Sequence, residues 1–247
     1  MPRPARLTAA IVKPSPPAAA AAAPTCVSAR WLLLLAGSFV ALRLVFFPLA
    51  EPIVDEAYYW LYSQHMELAF LDHPPMVAWL DWLGTRAFGN TPGGVRIGAI
   101  ACGLIALGYV YRLARAVGSR REMALGAVLL GCALPAFFLS GFLMTPDAPM
   151  VAAWAAGLFY LHRVLVLGDG RGWWGVGLAM GLGMLAKYPI VLLAAGAAGF
   201  VLTDSAARRW LARPQPYLAV LLAVALFSPV LVWNAQHDWA SFAFQGS

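Results

Sequence analysis

An all-helical protein that crosses a membrane several times is what this sequence predicts, on three observations. Hydrophobic residues fill 62% of the 247 positions and charged residues only 11%, against about 25% charged in ordinary soluble domains. The apolar residues gather into long runs, several near the 20 or so residues needed to cross roughly 30 Å of hydrocarbon. Ten tryptophans and eight tyrosines suit a chain with two membrane interfaces, where amphipathic rings collect. A soluble core could not hide this much apolar surface, so the solvent is lipid.

The elements follow in order. Residues 1–30 hold Pro2, Pro4, Pro14, Pro16, Pro17, Pro24 and the run Ala18–Ala23, a composition that cannot bury a core and reads as a disordered cytoplasmic tail. A cleavable leader would need an apolar stretch of roughly 7–15 residues; Trp31–Ala50 is longer. Residues 31–247 form the membrane domain. Candidate spans are 31–50, 93–111, 123–143, 148–167, 173–186, 189–203 and 216–233. The fifth and sixth reach only about 21 and 22 Å at 1.5 Å per residue. Lys187 and Pro189 separate them, which favours a turn over one long helix.

Charge placement orients the chain. With the N-terminus inside, the inner segments hold Arg3, Arg6, Lys13, Arg30, Arg112, Arg115, Arg120, Arg121, Arg163, Arg171, Arg208, Arg209 and Arg213, most of the 17 basic residues. That is the positive-inside pattern, and it fails if 173–203 is a single helix. The net charge of +6 is thus spread over short loops, which argues against a nucleic-acid partner. Cys26, Cys102 and Cys132 show no paired spacing; the latter two sit in apolar runs and read as small core residues.

Acidic residues do little to steer insertion, so the acids expected outside need another explanation. The first outer loop runs from Glu51 to Pro92. Asp55 and Glu56 stand just past the first span, followed by Tyr58, Tyr59, Trp60 and Tyr62. Such an aromatic run suits a helix lying in the headgroup layer, ending at Pro74-Pro75, with Met76–Phe88 as a second. Topology sends Asp147 and Lys187 to the same face. Carboxylates at that boundary can act as general bases or hold a metal, although a single one is more often a solvated loop charge.

The segments DEAYYW, DHPPMVAWL, MTPDAP, LAKYP and WNAQHDWASFAFQ, in this order between Trp31 and Gln245, resemble glycosyltransferase family 39. These are the bacterial relatives of the dolichyl-phosphate-mannose protein mannosyltransferases, near the lipid A aminoarabinose transferases and galacturonosyltransferases. The resemblance implies a GT-C fold, an all-α polytopic bundle with interfacial helices in the first periplasmic loop of an inner-membrane protein. It implies a sugar moved from a polyprenyl-phosphate carrier to an envelope glycolipid, polysaccharide or protein outside the cytoplasm. Family members run longer, so this chain corresponds to the N-terminal half and is expected to be inactive alone. Asp55 matches the family's base and Lys187 the cation beside the leaving phosphate, with Arg96 in support. Glu56, His73 and Asp147 are candidates for holding the sugar. Some relatives use a divalent cation, and Asp55, Glu56, His65, Asp72, His73 and His237 can supply ligands. No pair has a diagnostic spacing, so a metal stays open.

Two rivals predict different features. A transporter or flippase of lipid-linked sugars would place ionisable groups at the midplane and often carry internal repeats; here those groups gather at span ends. A non-catalytic scaffold predicts no special role for Asp55 or Lys187. GLGMLA at 181–186 has the spacing of a dinucleotide fingerprint but no preceding strand, and Gly177 with Gly181 suits close helix packing instead. Trp173, Trp174 and Trp210 read as interfacial anchors, Arg43 as either a snorkelling residue or a carrier contact, and Asp81 as an ordinary loop charge.

Overall fold

The computed structural model describes residues 27–246; the tail reading for residues 1–26, and Cys26 with it, lies outside them. The regular structure there is helical: α1 (Ala29–Phe46), α2 (Val54–Gln64), α3 (Met76–Phe88), α4 (Pro92–Ala116), α5 (Arg121–Ala133), α6 (Pro135–Ser140), α7 (Asp147–Leu161), α8 (Gly172–Ala186), α9 (Val191–Thr203), α10 (Pro214–Gln236) and α11 (Ala240–Gly246). Among the described residues, four of the expected spans are long and apolar enough to cross a membrane: α1, α4, α7 with its π-helical extension His162–Val166, and α10. Helices α8 and α9, with 15 and 13 residues, are shorter.

The break between α8 and α9 falls where the sequence places it. Lys187 is extended (φ −161°, ψ 135°), and a 3₁₀ turn over Tyr188–Ile190 starts the next helix. The candidate span 123–143 is corrected: the helix stops at Ala133, Leu134 is extended, and α6 begins at Pro135. Proline lacks the N–H for the helical ladder and pushes the preceding residue out of α geometry. Helix α2 also ends earlier than expected, at Gln64. The Phe70 ring stacks on Tyr62 at 3.9 Å and Ala69, Phe70, Pro74 and Pro75 are buried, so packing folds the chain back there.

Helix α8 packs between α7 and α10, and α7 continues the layer to α4. Small residues set those distances: a Cβ on Gly177 would lie 2.6 Å from the Ala219 carbonyl oxygen, and one on Gly181 would meet Leu226 and Ala223. Close backbone approach through small residues is how helices associate in lipid. Trp173 and Trp210, expected as interfacial anchors, are instead buried against each other with centroids 5.7 Å apart, while Trp174 is exposed. Cys102 and Cys132 are buried and free.

Candidate active site

One end of the bundle carries α2, α3, the turn before α7 and the α8–α9 break, and here the ionisable residues meet. Its foundation is a buried ion pair. Arg96, on the first turns of α4, bonds Glu56 through Nε (2.8 Å) and Nη2 (2.6 Å). Its other donors reach the carbonyls of Phe47 and Ala50 through Nη1 and of Glu51 through Nη2, at 2.6–3.0 Å. All five guanidinium donors are thus filled. Glu56 also accepts from the Met144 N–H at 3.1 Å and, reaching back one turn, from the Ile53 N–H at 3.2 Å. The two side chains are 0% and 1% exposed. The assignments of Glu56 to sugar contact and of Arg96 to phosphate support are therefore corrected. Each is filled by the other and by backbone groups, and the pair ties the α1–α2 connection to α4 and to the turn before α7.

That clamp positions Asp55 and Asp147. Asp55 lies in the first turn of α2, where the helix macrodipole favours negative charge, and is exposed. Asp147 opens α7 and accepts from Lys187 Nζ at 2.9 Å, with both side chains partly exposed. Asp55 and Asp147 line one cavity of about 400 Å³, walled by Ile53, Phe137, Leu139, Ser140, Leu143, Thr145 and Val151. Part of its wall is α6, which the break at Pro135 separates from α5. Of the candidate residues, the structure brings together Asp55, Asp147 and Lys187.

His73 sits elsewhere in the same layer. Its Nδ1 is 3.0 Å from Asp72 Oδ2, and its ring meets Tyr59 edge-on at 5.4 Å. Asp72 accepts from the hydroxyls of Tyr62 and, at 3.2 Å, Tyr58. Burial opposes its charge, but His73 and Tyr62 hold the carboxyl well below the usual range, at about 2. The Tyr62 phenol is pushed up by burial and by its bond to Asp72. Tyr59 is pushed up to about 12, by burial first and then by Asp72, Asp55 and Asp147 around it. In the sequence Tyr58, Tyr59 and Tyr62 read only as part of an interfacial helix; the i, i+4 spacing of 58 and 62 is the local sign that both can serve one acceptor.

The remaining metal-ligand candidates scatter. His65 is exposed, and His237 stacks on Trp233 at 4.0 Å with Nδ1 2.8 Å from that residue's carbonyl oxygen. Among the described residues no three His, Cys, Asp or Glu side chains form a group that could hold a metal ion. Asp81 overturns its reading as a loop charge. It is 0% exposed on the buried face of α3, neither carboxyl oxygen has a hydrogen-bond partner among the described residues, and burial, then Glu56, push it up to about 8.

Fold and site together define a helical membrane protein with a cavity lined by two carboxylates, one of them bonded to a lysine, at one end of its bundle. The family described as dolichyl-phosphate-mannose-protein mannosyltransferase matches residues 72–233, and the chain belongs to that family. It is 32% identical over 222 residues to the lipid A galacturonosyltransferase RgtD of Rhizobium johnstonii, covering 85% of this chain and 45% of that one. It is 30% identical to the undecaprenyl phosphate-alpha-4-amino-4-deoxy-L-arabinose arabinosyl transferase 1 of Sodalis glossinidius, covering 81% and 39%. The crystal structure of apo ArnT from Cupriavidus metallidurans superposes with a TM-score of 0.68 at 18% identity, over 86% of this chain and 43% of that one, a likeness of fold. The chain thus spans less than half the length of these relatives.

Proposed function

We propose that the protein transfers a sugar from a polyprenyl-phosphate carrier to an envelope acceptor on the periplasmic face of the inner membrane. The observation that carries this is that Asp55 and Asp147 line one 400 Å³ cavity beside α6, with Lys187 bonded to Asp147 at 2.9 Å. Relatives that share this family bear the names of a galacturonosyltransferase and an arabinosyl transferase, and the likeness of sequence supports a related acceptor, lipid A.

The chemistry assigns each residue one task. Asp55, which makes no hydrogen bond or ion pair within the described residues, takes the proton of the acceptor hydroxyl. The freed oxygen forms the new bond to the sugar's anomeric carbon, and the old bond to the phosphate breaks with its electrons on the phosphate. Lys187 meets that growing negative charge, and Asp147 aims the lysine and offers its second oxygen to a sugar hydroxyl. Glu56 and Arg96 hold the frame, and no step passes through them.

Asp55→Asn in the complete protein keeps the shape of the side chain and removes the base. General-base catalysis is worth about 10²–10⁴ in rate, so sugar transfer in membranes should fall by that factor while carrier binding stays near wild type. Normal turnover by correctly inserted Asp55→Asn protein would overturn the assignment.

A further inference from the structure

Three cations bond residues that line or adjoin the acidic cavity, and two are matched by carboxylates: Arg96 by Glu56, next to Asp55, and Lys187 by Asp147. Among the described residues Arg43, near the end of α1, has none. The residue is 4% exposed, and among the described residues its side chain makes one hydrogen bond, from Nη2 to the Phe137 carbonyl at 3.2 Å. Nε is buried without a partner. The Phe138 ring lies 4.7 Å from Cζ, and a Cβ on Gly141 would sit 3.1 Å from Nη1, so glycine there leaves the guanidinium its space. A guanidinium carries five donors; Arg96 uses all of its own, and most of Arg43's are free. A cation inside a span without an anion is costly, and such residues mark ligand paths.

The surroundings indicate which anion. Arg43 faces a narrow cleft of about 10 Å³, room for roughly one oxygen-sized group. Phe137, Ser140 and Val151 wall both this cleft and the Asp55–Asp147 cavity. Phe137 and Val151 also wall an apolar cleft of about 170 Å³ that continues past Met150, Trp154 and Leu158. The series follows successive turns of α7, from Asp147 to Leu158, roughly 16 Å of helix at 1.5 Å per residue. Polar cavity, lone cation and apolar cleft succeed one another in the order headgroup, anion and tail of an anionic lipid.

We propose that Arg43 is a second cation for the carrier, holding one oxygen of the phosphate of a polyprenyl-phosphate lipid while Lys187 meets another, with the tail in the apolar cleft between α4 and α7. This rests on the carrier-dependent reading above. Membrane phospholipids share the phosphate chemistry, and the test separates the two sources. The complete protein is placed in phosphatidylcholine nanodiscs, and binding of undecaprenyl phosphate and of phosphatidylglycerol, each added alone, is measured by native mass spectrometry.

Arg43→Gln should weaken undecaprenyl phosphate binding about 10- to 100-fold, the range for a lost charge-assisted contact, and leave phosphatidylglycerol unchanged; Arg43→Lys should recover part of the loss. Met150→Trp, which fills the apolar cleft and touches no charge, should also weaken the carrier and gives a second reading if Arg43→Gln does not fold. Wild-type carrier binding by folded Arg43→Gln, or by Met150→Trp, overturns the proposal. Equal loss of both lipids also overturns it, making Arg43 a general lipid anchor. A wild-type protein that binds no undecaprenyl phosphate sinks the carrier reading itself.

Discussion

Glu56 and Asp81 are both carboxyls buried to 0% exposure on neighbouring helices, and their surroundings give them opposite chemistry. Glu56 accepts four hydrogen bonds, two from a guanidinium and two from backbone N–H groups. Asp81 has none for either oxygen and holds its proton up to about pH 8. Its ordinary pKa is near 4, so the raised folded value contributes stability below about pH 4 that is lost as pH rises through 8. Asp81→Asn carries no titrating group there. Melting curves of purified protein should therefore shift in the variant's favour between pH 5 and pH 9, and a constant offset across that range would contradict the buried-acid account. In the sequence, Asp81 was indistinguishable from a loop charge, since nothing local says that α4 covers it.

At the scale of elements, the distance between α3 and α4 is set by two glycines. A Cβ on Gly84 would stand 2.2 Å from the Gly94 carbonyl oxygen, which is backbone and cannot swing aside. Gly84→Ala should force α3 outward and lower stability by about 1–3 kcal/mol, as overpacking does. Gly126 in α5 has open space at the same test, and Gly126→Ala should be neutral or stabilise by up to about 1 kcal/mol through helix propensity. Equal melting shifts for the two variants would refute the packing argument. The start of α4 at Pro92 and the break at Lys187–Pro189 were written in proline chemistry, and so was the stop at Pro135, through which the span expected over 123–143 ran. Thr91 Oγ1 accepts from the Gly94 N–H at 3.1 Å. The end of α2 at Gln64 was not, because it follows from the stack of Phe70 on Tyr62.

For the whole molecule, the fold requires that Asp55, Asp147 and Lys187 lie at one end, since Lys187 bonds Asp147 and Asp147 shares a cavity with Asp55. Single cysteines at 55, 147 and 187, in a protein lacking Cys26, Cys102 and Cys132, should all react with a membrane-impermeant thiol reagent in intact cells. Those at 118, 170 and 208 should react only after lysis. Labelling of 118 or 208 in intact cells would reverse the proposed orientation, and disagreement among 55, 147 and 187 would contradict the fold itself.

Composition and run length by themselves determined that the chain is a helical membrane protein, because no arrangement of so apolar a sequence satisfies water. Proline and lysine between apolar runs determined the break after α8, and the ordered motifs determined the family. Tertiary structure alone decided which acids face the cavity and which are consumed by packing. Asp55 and Glu56 are adjacent in sequence, yet 3.6 residues per turn send one outward and the other into Arg96, forty residues away. Only the packing of α1, α4 and α6 could leave Arg43 without a counter-charge, because ion pairs between spans depend on helix neighbours that spacing along the chain does not encode.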